Sequence, residues 1–358
     1  MRGAQRHSQE MLDYGVLNGG ASLVIQTSFL GDTVLTTPLI AHLAERAPVD
    51  VVVTAAAAPL LANNPSIRDV IVYDKRGRDR GVLRFLTLSA RLSRSRYAAA
   101  YLAQGSVRSG ALVLGRRERI GFTTSAGRRF YTRRVDYIEN EHHASRLLRL
   151  ALAPDAQPTA EMLRPRLFPG DAERIAVDSL LRERGWRGEP LVALAPGSVW
   201  PTKRWPLYPA LAELLDARIV IIGATSDVSL ASDIMRAVGA RAIDATGRLS
   251  LLGSAELIGR SRVLVTNDSS PLHLASAMGT PTVALFGPTV PEFGFGPLAP
   301  MARVIGRDDL SCRPCDRHGP QHCPLGHWRC MREITPRRVA DAVQELTASS
   351  PSSPSSSR

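Results

Sequence analysis

A short β-branched run, a polar loop and a helical stretch follow one another in Val263–Ala275, whose sequence is VLVTNDSSPLHLA. Val263–Val265 predicts a buried strand. A helix is predicted from about Pro271, directly after Asn, Asp and Ser residues that favour helix starts. Free backbone N–H groups at such a start bind anions. The stretch therefore predicts a βα unit with ligand-binding groups at the carboxyl end of its strand.

The same alternation of strand and helix extends over most of the chain. Predicted strands are Ser22–Gln26, Asp50–Thr54, Val70–Tyr73, Ala98–Leu102, Leu191–Ala195, Arg218–Ile222, Val263–Val265 and, as the last one, Thr282–Phe286. Predicted helices lie between them, at Thr33–Arg46, Val82–Ser93, Glu141–Leu150, Pro206–Leu215, Asp227–Val238, Leu251–Arg260 and Pro271–Met278. This alternation predicts an α/β fold with parallel sheets.

A proline-rich stretch from Pro154 to Pro169 separates two α/β halves of similar size. We expect two Rossmann-like domains facing a central cleft, an N-terminal one over residues 21–165 and a C-terminal one over 166–347. Residues 1–20 are expected to be a loose extension, and 348–358, almost all Ser and Pro, a disordered tail. The length of 358 residues suits two domains.

Composition and charge limit the classes of protein to which the chain can belong. Hydrophobic residues make up 44% and charged residues 22%, as in ordinary globular proteins. No apolar run is long enough to span a membrane, and residues 1–20 lack the apolar core of a signal peptide, so we expect a cytoplasmic protein. The net charge is +12, yet Lys75–Arg134 alone holds sixteen basic residues against two acids. Such a segment attracts phosphates of a membrane surface, a nucleic acid or an acidic substrate.

Two loops at the starts of the halves carry candidate functional groups. Asp32 follows the first strand and can serve as a general base for a hydroxyl, or it can simply cap the next helix. The loop after Leu191–Ala195 contains Ser198, Thr202 and Lys203. Lys203 is one of two lysines among 45 basic residues, and an ammonium beside Thr202 suits a phosphate. The alternative is an exposed loop lysine.

Two further loops are expected at the same sheet edge. Their candidate ligand-binding residues are Asp268, Ser269, Ser270 and His273, followed by Gly287, Pro288 and Thr289. The Ser hydroxyls can donate to a phosphate, and Asp268 can accept from sugar hydroxyls. The alternative is an ordinary capped turn, with His273 in the core.

All four cysteines of the chain occur close together, at Cys312, Cys315, Cys323 and Cys330, with three histidines among them. This spacing is typical of a structural zinc or iron–sulfur site. The alternative is four free thiols that pack as small apolar groups.

Taken together, the motifs resemble glycosyltransferase family 9, the ADP-heptose:lipopolysaccharide heptosyltransferases. The resemblance covers about residues 22–345, and the cysteine-rich end is most similar to the heptosyltransferase II branch. It rests on Gly31-Asp32, Asn64–Ile67, Arg119–Phe122, Thr202–Pro206, Thr266–Ala275 and Phe286–Thr289. One departure is Ser270, where the family more usually has Gly.

The resemblance implies a GT-B fold and an inverting transfer of heptose from ADP-heptose to the inner core of lipopolysaccharide, on Kdo-lipid A or heptosyl-Kdo-lipid A. It implies that Asp32 is the base. It also implies that the donor is bound by residues of three C-terminal loops, namely Ser198, Thr202, Lys203, Asp268, Ser269, Ser270, His273, Gly287, Pro288 and Thr289. No cofactor is expected to be required, and the cysteine spacing leaves a structural zinc open as an alternative to free thiols.

The expected acceptor is a phosphorylated lipid A core, so we expect a peripheral protein on the inner face of the inner membrane. Its acceptor-binding candidates are Arg128, Arg129, Arg133 and Arg134. Alternatives are a family member that uses another nucleotide sugar or surface glycan, or a basic nucleic-acid-binding protein with a cysteine-rich metal module. No nucleic-acid-binding motif is present in the sequence, so no nucleic acid is expected as a partner.

Overall fold

The computed structural model describes residues 20–75, 77, 79–95 and 97–349. The chain divides into two compact units, Met1–Phe168 and Pro169–Arg358. The division falls three residues after the boundary expected from the sequence. None of the helices in the described part is long and apolar enough to cross a membrane.

The first unit is built from βα repeats. Its strands are β1 (Ala21–Gln26), β2 (Val49–Val53), β3 (Asp69–Val72), β4 (Tyr97–Leu102), β5 (Glu118–Phe122) and β6 (Arg133–Val135). Its helices are α1 (Leu30–Ala44), α2 (Val82–Arg94), α3 (Val107–Leu112) and α4 (His143–Arg149). Every residue of β1 is buried, as expected for a central parallel strand with helices on both faces.

The second unit repeats this plan. Its strands are β7 (Leu191–Ala195), β8 (Arg218–Ile221), β9 (Ala242–Asp244), β10 (Val263–Asn267), β11 (Thr282–Leu285) and β12 (Ala302–Ile305). Its helices are α5 (Asp171–Glu183), α6 (Tyr208–Leu214), α7 (Val228–Val238), α8 (Leu251–Gly259), α9 (Ser270–Met278), α10 (Arg329–Arg332) and α11 (Pro336–Ser349).

Within the described residues, each unit has one parallel sheet of six strands. The order is β3-β2-β1-β4-β5-β6 in the first unit and β12-β11-β10-β7-β8-β9 in the second. Both orders are the Rossmann arrangement, in which the strand order reverses between the first and fourth strands of each unit. Ligands bind at this reversal, outside the carboxyl ends of the strands. The α/β prediction with two Rossmann-like halves is confirmed.

The structure corrects several predicted elements. Helix α1 begins at Leu30 rather than Thr33, because Phe29 has an extended backbone and supplies the first carbonyl of the helix, which accepts from Thr33 N at 3.1 Å. Asp32 is therefore in the first helical turn and not at the N-cap. Strands β5, β6, β9 and β12 and helices α3, α5, α10 and α11 were not predicted. These strands are short and partly exposed, so their sequences show no continuous apolar run.

The C-terminal end also differs from expectation. Thr282–Phe286 is not the last strand, since β12 extends the sheet beyond β11. Helix α11 runs to Ser349 and so includes the first two residues of the predicted tail. Its buried side chains Val339, Val343 and Leu346 join the core of the second unit, which holds this segment in a helix. The remaining tail, 350–358, and residues 1–19 of the predicted extension over 1–20 lie outside the described residues.

Candidate active site

The second unit gathers its functional loops where β7 and β10 lie side by side. Asn267, the last residue of β10, is fully buried and links the two loops. Its side-chain amide donates to Pro196 O at 2.8 Å, and its carbonyl oxygen accepts from Trp205 N at 3.2 Å. Asn267 therefore holds the loop after β7 against the end of β10. Asn267 is part of the Thr266–Ala275 motif, but the sequence did not indicate that its side chain holds the two loops together.

Lys203 and Asp268 form a buried ion pair at this position. Lys203 Nζ donates to Asp268 Oδ2 at 2.6 Å, and the two side chains are 8% and 10% exposed. Thr289 Oγ1 donates to the same carboxylate oxygen at 2.7 Å. The sequence predicted that Lys203 is available to a phosphate and Asp268 to a sugar. The structure instead pairs them, and leaves two N–H groups of Lys203 and Oδ1 of Asp268 without a partner among the described residues.

Helix α9 starts directly beside this pair. Ser269 is its N-cap residue and Ser270 its first residue, and Ser269 Oγ donates to Asn267 O at 3.4 Å. Pro271 has no N–H group and Leu272 N donates to Ser269 O at 3.1 Å, so in the first turn the backbone N–H of Ser270 is left without a partner among the described residues. A helix start with an unpaired N–H group next to a buried ammonium is suited to bind an anion. His273 lies one turn further on, is 5% exposed, and packs edge-to-face against Phe295.

The remaining donor candidates shape the loops. Thr202 Oγ1 donates to Pro320 O, and Ser198 Oγ accepts from Trp200 N at 3.2 Å. Gly287 faces Met331, and a Cβ at this position would lie 2.7 Å from Met331 Cγ. Pro288 O accepts a hydrogen bond from Cys315 N at 2.8 Å. These residues therefore position the loops through hydrogen bonds and packing.

The cysteine-rich segment lies against the same loops. Gly319 has a φ of +87°, and a Cβ there would lie 3.0 Å from Lys203 Cε, so this glycine permits the close approach of the segment to Lys203. Arg313 Nη2 donates to Thr289 O at 3.0 Å. His318 stacks on Trp200 with ring centroids 6.1 Å apart. The sequence contained no signal for this contact, because it joins residues that are more than 100 positions apart.

The four cysteines are free thiols in the structure. Cys312 Sγ is 4.0 Å from His327 Nε2, and burial raises the pKa of Cys330 to about 11. Among the described residues, no group of three or more His, Cys, Asp or Glu side chains is arranged to hold a metal ion. A zinc site at Cys312, Cys315, Cys323 and Cys330 stays a prediction from the sequence.

In the first unit, Asp32 lies in the first turn of α1, beyond the carboxyl end of β1. Its Oδ2 accepts from Phe29 N at 3.3 Å. Its Oδ1 is 3.8 Å from Nε2 of His143, at the start of α4, and the side chains are 15% and 12% exposed. Sequence reasoning missed His143, since the doublet His142-His143 has no pattern that distinguishes it from an ordinary helix start.

The environment of His143 favours its neutral form. Burial lowers the pKa of His143, the negative charge of Asp32 opposes this, and the positive charge of Arg146 adds to the lowering. A neutral imidazole has one N–H group, which can be on Nε2 and face Asp32. The pair Asp32–His143 is therefore a carboxylate beside an imidazole whose basicity is reduced by burial.

The four arginines predicted to bind the acceptor lie in different surroundings. Arg128 and Arg129 are exposed in a short 3₁₀ helix, Arg128–Phe130. Arg133 and Arg134 begin β6, and Arg133 Nη2 donates to Leu150 O at 2.7 Å. Strand β6 is three strands away from β1 in the sheet, which is about 14 Å at the usual strand spacing. No contact of these arginines with Asp32 is found among the described residues, and their role stays a prediction.

Two Rossmann units, each with a six-stranded parallel sheet, are the architecture of the GT-B class of glycosyltransferases. Sequence comparison agrees, since the profile of glycosyltransferase family 9 (heptosyltransferase) matches residues 85–327. The chain belongs to this family. This decides between the transferase and the nucleic-acid-binding alternative in favour of the transferase.

Relatives match over nearly the whole chain. Lipooligosaccharide heptosyltransferase 2 of Haemophilus influenzae is 26% identical over 356 residues, which cover 91% of this chain and 99% of the relative. The structure of E. coli ADP-heptose LPS heptosyltransferase II has a TM-score of 0.72 and 26% identity, and covers 92% of this chain and 98% of its own. A family 9 glycosyl transferase from Veillonella parvula shares the fold, with a TM-score of 0.80, 22% identity and the same two coverages.

Proposed function

We propose that the protein transfers a heptose from ADP-heptose to the inner core of lipopolysaccharide, with inversion at the anomeric carbon. The observation that carries this proposal is the buried Lys203–Asp268 pair beside the uncapped start of α9. This arrangement provides positive charge and N–H donors for a diphosphate and a carboxylate oxygen for a hydroxyl group. The names of the relatives supply the identity of the sugar and of the acceptor.

The reaction needs a base for the acceptor hydroxyl and stabilisation of the departing diphosphate. The acceptor hydroxyl attacks the anomeric carbon of the donor and gives its proton to Asp32. The bond from that carbon to the diphosphate oxygen breaks, and ADP leaves with the bonding electron pair. Negative charge therefore grows on the diphosphate, where Lys203 and the backbone N–H of Ser270 at the start of α9 stabilise it. Asp268 Oδ1 is available to accept from a hydroxyl of the nucleotide sugar. A glycoside hydrolase would instead need two carboxylates at one bond.

The proposed acceptor also predicts where in the cell the enzyme works. A phosphorylated, Kdo-bearing lipid A core is held in the inner leaflet by its acyl chains, so its transferase must work at an anionic surface. Sixteen basic residues in Lys75–Arg134 attract the first unit to such a surface. We infer a peripheral enzyme on the cytoplasmic face of the inner membrane.

Turnover with defined substrates tests the proposal. ADP-heptose should be consumed with Kdo-lipid A or heptosyl-Kdo-lipid A, with release of ADP and a product heavier by one heptose. Faster turnover of a UDP- or GDP-sugar, or of ADP-heptose with an unrelated glycan, would contradict it.

The same turnover assay tests whether Asp32 acts as the general base. Asp32→Asn should lower kcat by about 10²–10⁴-fold, because an amide cannot take the proton, while ADP affinity stays unchanged. The matched control is Asp136→Asn, an exposed carboxyl of the same unit, which should keep wild-type turnover. If Asp32→Asn retains more than about a tenth of the wild-type kcat, Asp32 serves only to stabilise the start of α1.

A further inference from the structure

Helix α2 has two apolar faces, and only one of them is used by the fold. Phe85, Leu88 and Leu92 pack against the core of the first unit. Val82, Leu83 and Leu86 instead point to solvent, with exposures of 72%, 81% and 54%. Single exposed aliphatic residues are common on protein surfaces, but three on one helical turn form a patch that needs a partner.

The exposed face of α2 is amphipathic. At 100° per residue, Val82, Leu83 and Leu86 span about 100° of the helix circumference, and Arg84, Arg91 and Arg94 span the next 80° or so. Arg91 has one weak, exposed contact, 3.4 Å from Asp69. An apolar stripe beside an arginine stripe is typical of helices that lie in a membrane interface.

The exposed face of α2 begins near the edge of the sheet that carries Asp32. Helix α2 follows β3, and its first turn therefore lies near the carboxyl edge of the sheet, where Asp32 also lies. Two contacts tie the region to that edge. Lys75 Nζ donates to Thr27 O, directly after β1, at 2.8 Å. Arg108, at the start of α3 after β4, lies over the ring of Phe85 with its guanidinium carbon 5.6 Å from the ring centroid.

We propose that the N-terminal half of α2 docks onto an anionic lipid bilayer, with Val82, Leu83 and Leu86 inserted among the lipids and the neighbouring arginines at the lipid phosphates. The proposal rests on the proposed function, because a lipid-anchored acceptor would then be presented at the edge that carries Asp32. Charge favours this occupant over a second copy of the chain. Two copies would bring two strongly positive segments together, whereas an anionic bilayer neutralises them.

Vesicle binding tests the docking surface separately from catalysis. The full chain is mixed with vesicles of phosphatidylcholine and phosphatidylglycerol, and bound protein is measured by co-flotation. The variant Val82→Gln/Leu83→Gln/Leu86→Gln should bind about tenfold or more weakly, and salt should release it at lower concentrations than wild type, because only screened charge attraction remains. Leu83→Trp should retain or strengthen binding, since aromatic rings suit the interface.

The matched control is Ile175→Gln/Leu214→Gln/Val228→Gln, three exposed aliphatic residues on helices of the second unit. It should bind vesicles like wild type. The α2 variant should keep wild-type ADP affinity and turnover on an acceptor without acyl chains, which shows that its fold and chemistry are intact.

Three results would overturn the proposal. These are unchanged vesicle binding in the folded α2 variant, no binding of wild type to anionic vesicles, or a wild-type dimer in sedimentation that this variant turns into monomers. The last result would assign the stripe to contact with a second copy. Absence of heptose transfer by wild type that still binds vesicles would refute the proposed function and leave the docking surface standing.

Discussion

Lys203 is the residue on which donor binding depends most directly. Its ammonium is held by Asp268 at 2.6 Å, in a site where both side chains are at most one-tenth exposed. Because this pairing fixes the ammonium, little conformational entropy remains to be lost when a diphosphate binds. The pair also removes one negative charge from the neighbourhood of an anionic ligand.

Lys203→Ala should therefore weaken ADP binding by about 10- to 100-fold, the value of a charge-assisted hydrogen bond. Part of the loss comes from the carboxylate of Asp268, which then repels the diphosphate. Lys203→Arg should restore affinity only in part, since a planar guanidinium does not replace a point charge. Calorimetry measures the ADP affinity of each variant, and Lys75→Ala, at the other lysine of the chain, is the control. Unchanged affinity in the alanine variant would remove Lys203 from the donor site.

His143 should make the stability of the first unit depend on pH. Its pKa is lowered in the folded state, mainly by burial, so the unfolded chain binds the proton more readily. Its contribution to stability is complete above the unfolded pKa of about 6.5 and is lost as pH falls below it, at up to about 1.4 kcal/mol per pH unit.

His143→Gln should flatten this dependence between pH 7.5 and 5.5, as measured by denaturant unfolding at each pH. It should also lower kcat more than it changes the acceptor KM, because the neighbour of Asp32 is altered. His322→Gln, an exposed histidine, is the control and should keep the wild-type pH dependence. An equal slope in His143→Gln and wild type would show that His143 titrates alike in the folded and unfolded chains.

At the scale of elements, a buried carboxylate connects three strands of the first sheet. Asp50, in β2, is 4% exposed and accepts two hydrogen bonds from Arg68, beside β3, at 2.8 and 2.6 Å. Tyr97 OH, at the start of β4, donates to Asp50 Oδ2 at 2.6 Å. Burial and the hydrogen bond to Asp50 raise the pKa of Tyr97 to about 12, so the hydroxyl remains a donor.

Asp50→Ala should lower the free energy of unfolding by about 2–4 kcal/mol, because the buried hydroxyl of Tyr97 and the guanidinium of Arg68 lose their acceptor. Urea unfolding measures the change, and Tyr97→Phe in the same background should recover part of it. The control is Asp69→Ala, whose exposed pairing with Arg91 should be worth less than about 1 kcal/mol. Equal effects of the two alanine variants would show that the Asp50 cluster does not stabilise the sheet.

For the whole molecule, the concentration of positive charge in Lys75–Arg134 sets the expected behaviour at membranes. Arg128, Arg129 and Arg134 are exposed and so remain candidates for contact with acceptor or lipid phosphates. Arg133 is a weaker candidate, since its guanidinium is bonded to Leu150 O. The charge attraction acts over about 8–10 Å and is screened by salt.

Arg128→Gln/Arg129→Gln/Arg134→Gln should reduce binding to anionic vesicles, by up to about 1 kcal/mol for each arginine near the surface. The acceptor KM should rise and the donor KM should stay unchanged. The triple variant Arg174→Gln/Arg236→Gln/Arg337→Gln removes the same charge from exposed positions of the second unit and is the control. Wild-type vesicle binding and acceptor KM in the first variant would exclude these arginines from the acceptor surface.

Much of the architecture could be predicted from local sequence. Leu191–Ala195 is apolar at every position because both faces of a central parallel strand are buried, and this makes such strands visible without a partner. Strands that are not buried along their whole length, such as Glu118–Phe122 and Ala302–Ile305, lack this signal and were missed. The loops after β7 and β10 were also predicted, because helix starts and polar loops are local features.

Local sequence is enough to predict the two α/β halves, the loops that follow their strands, and the motifs that place the chain in its family. The pairing of side chains depends on the tertiary structure. Lys203 meets Asp268 because β7 and β10 are neighbours in the sheet, and Asp32 meets His143 because α4 packs on α1. Neither partner is near the other in the chain. Strand order and helix packing result from burial of the whole core, so no local pattern contains them.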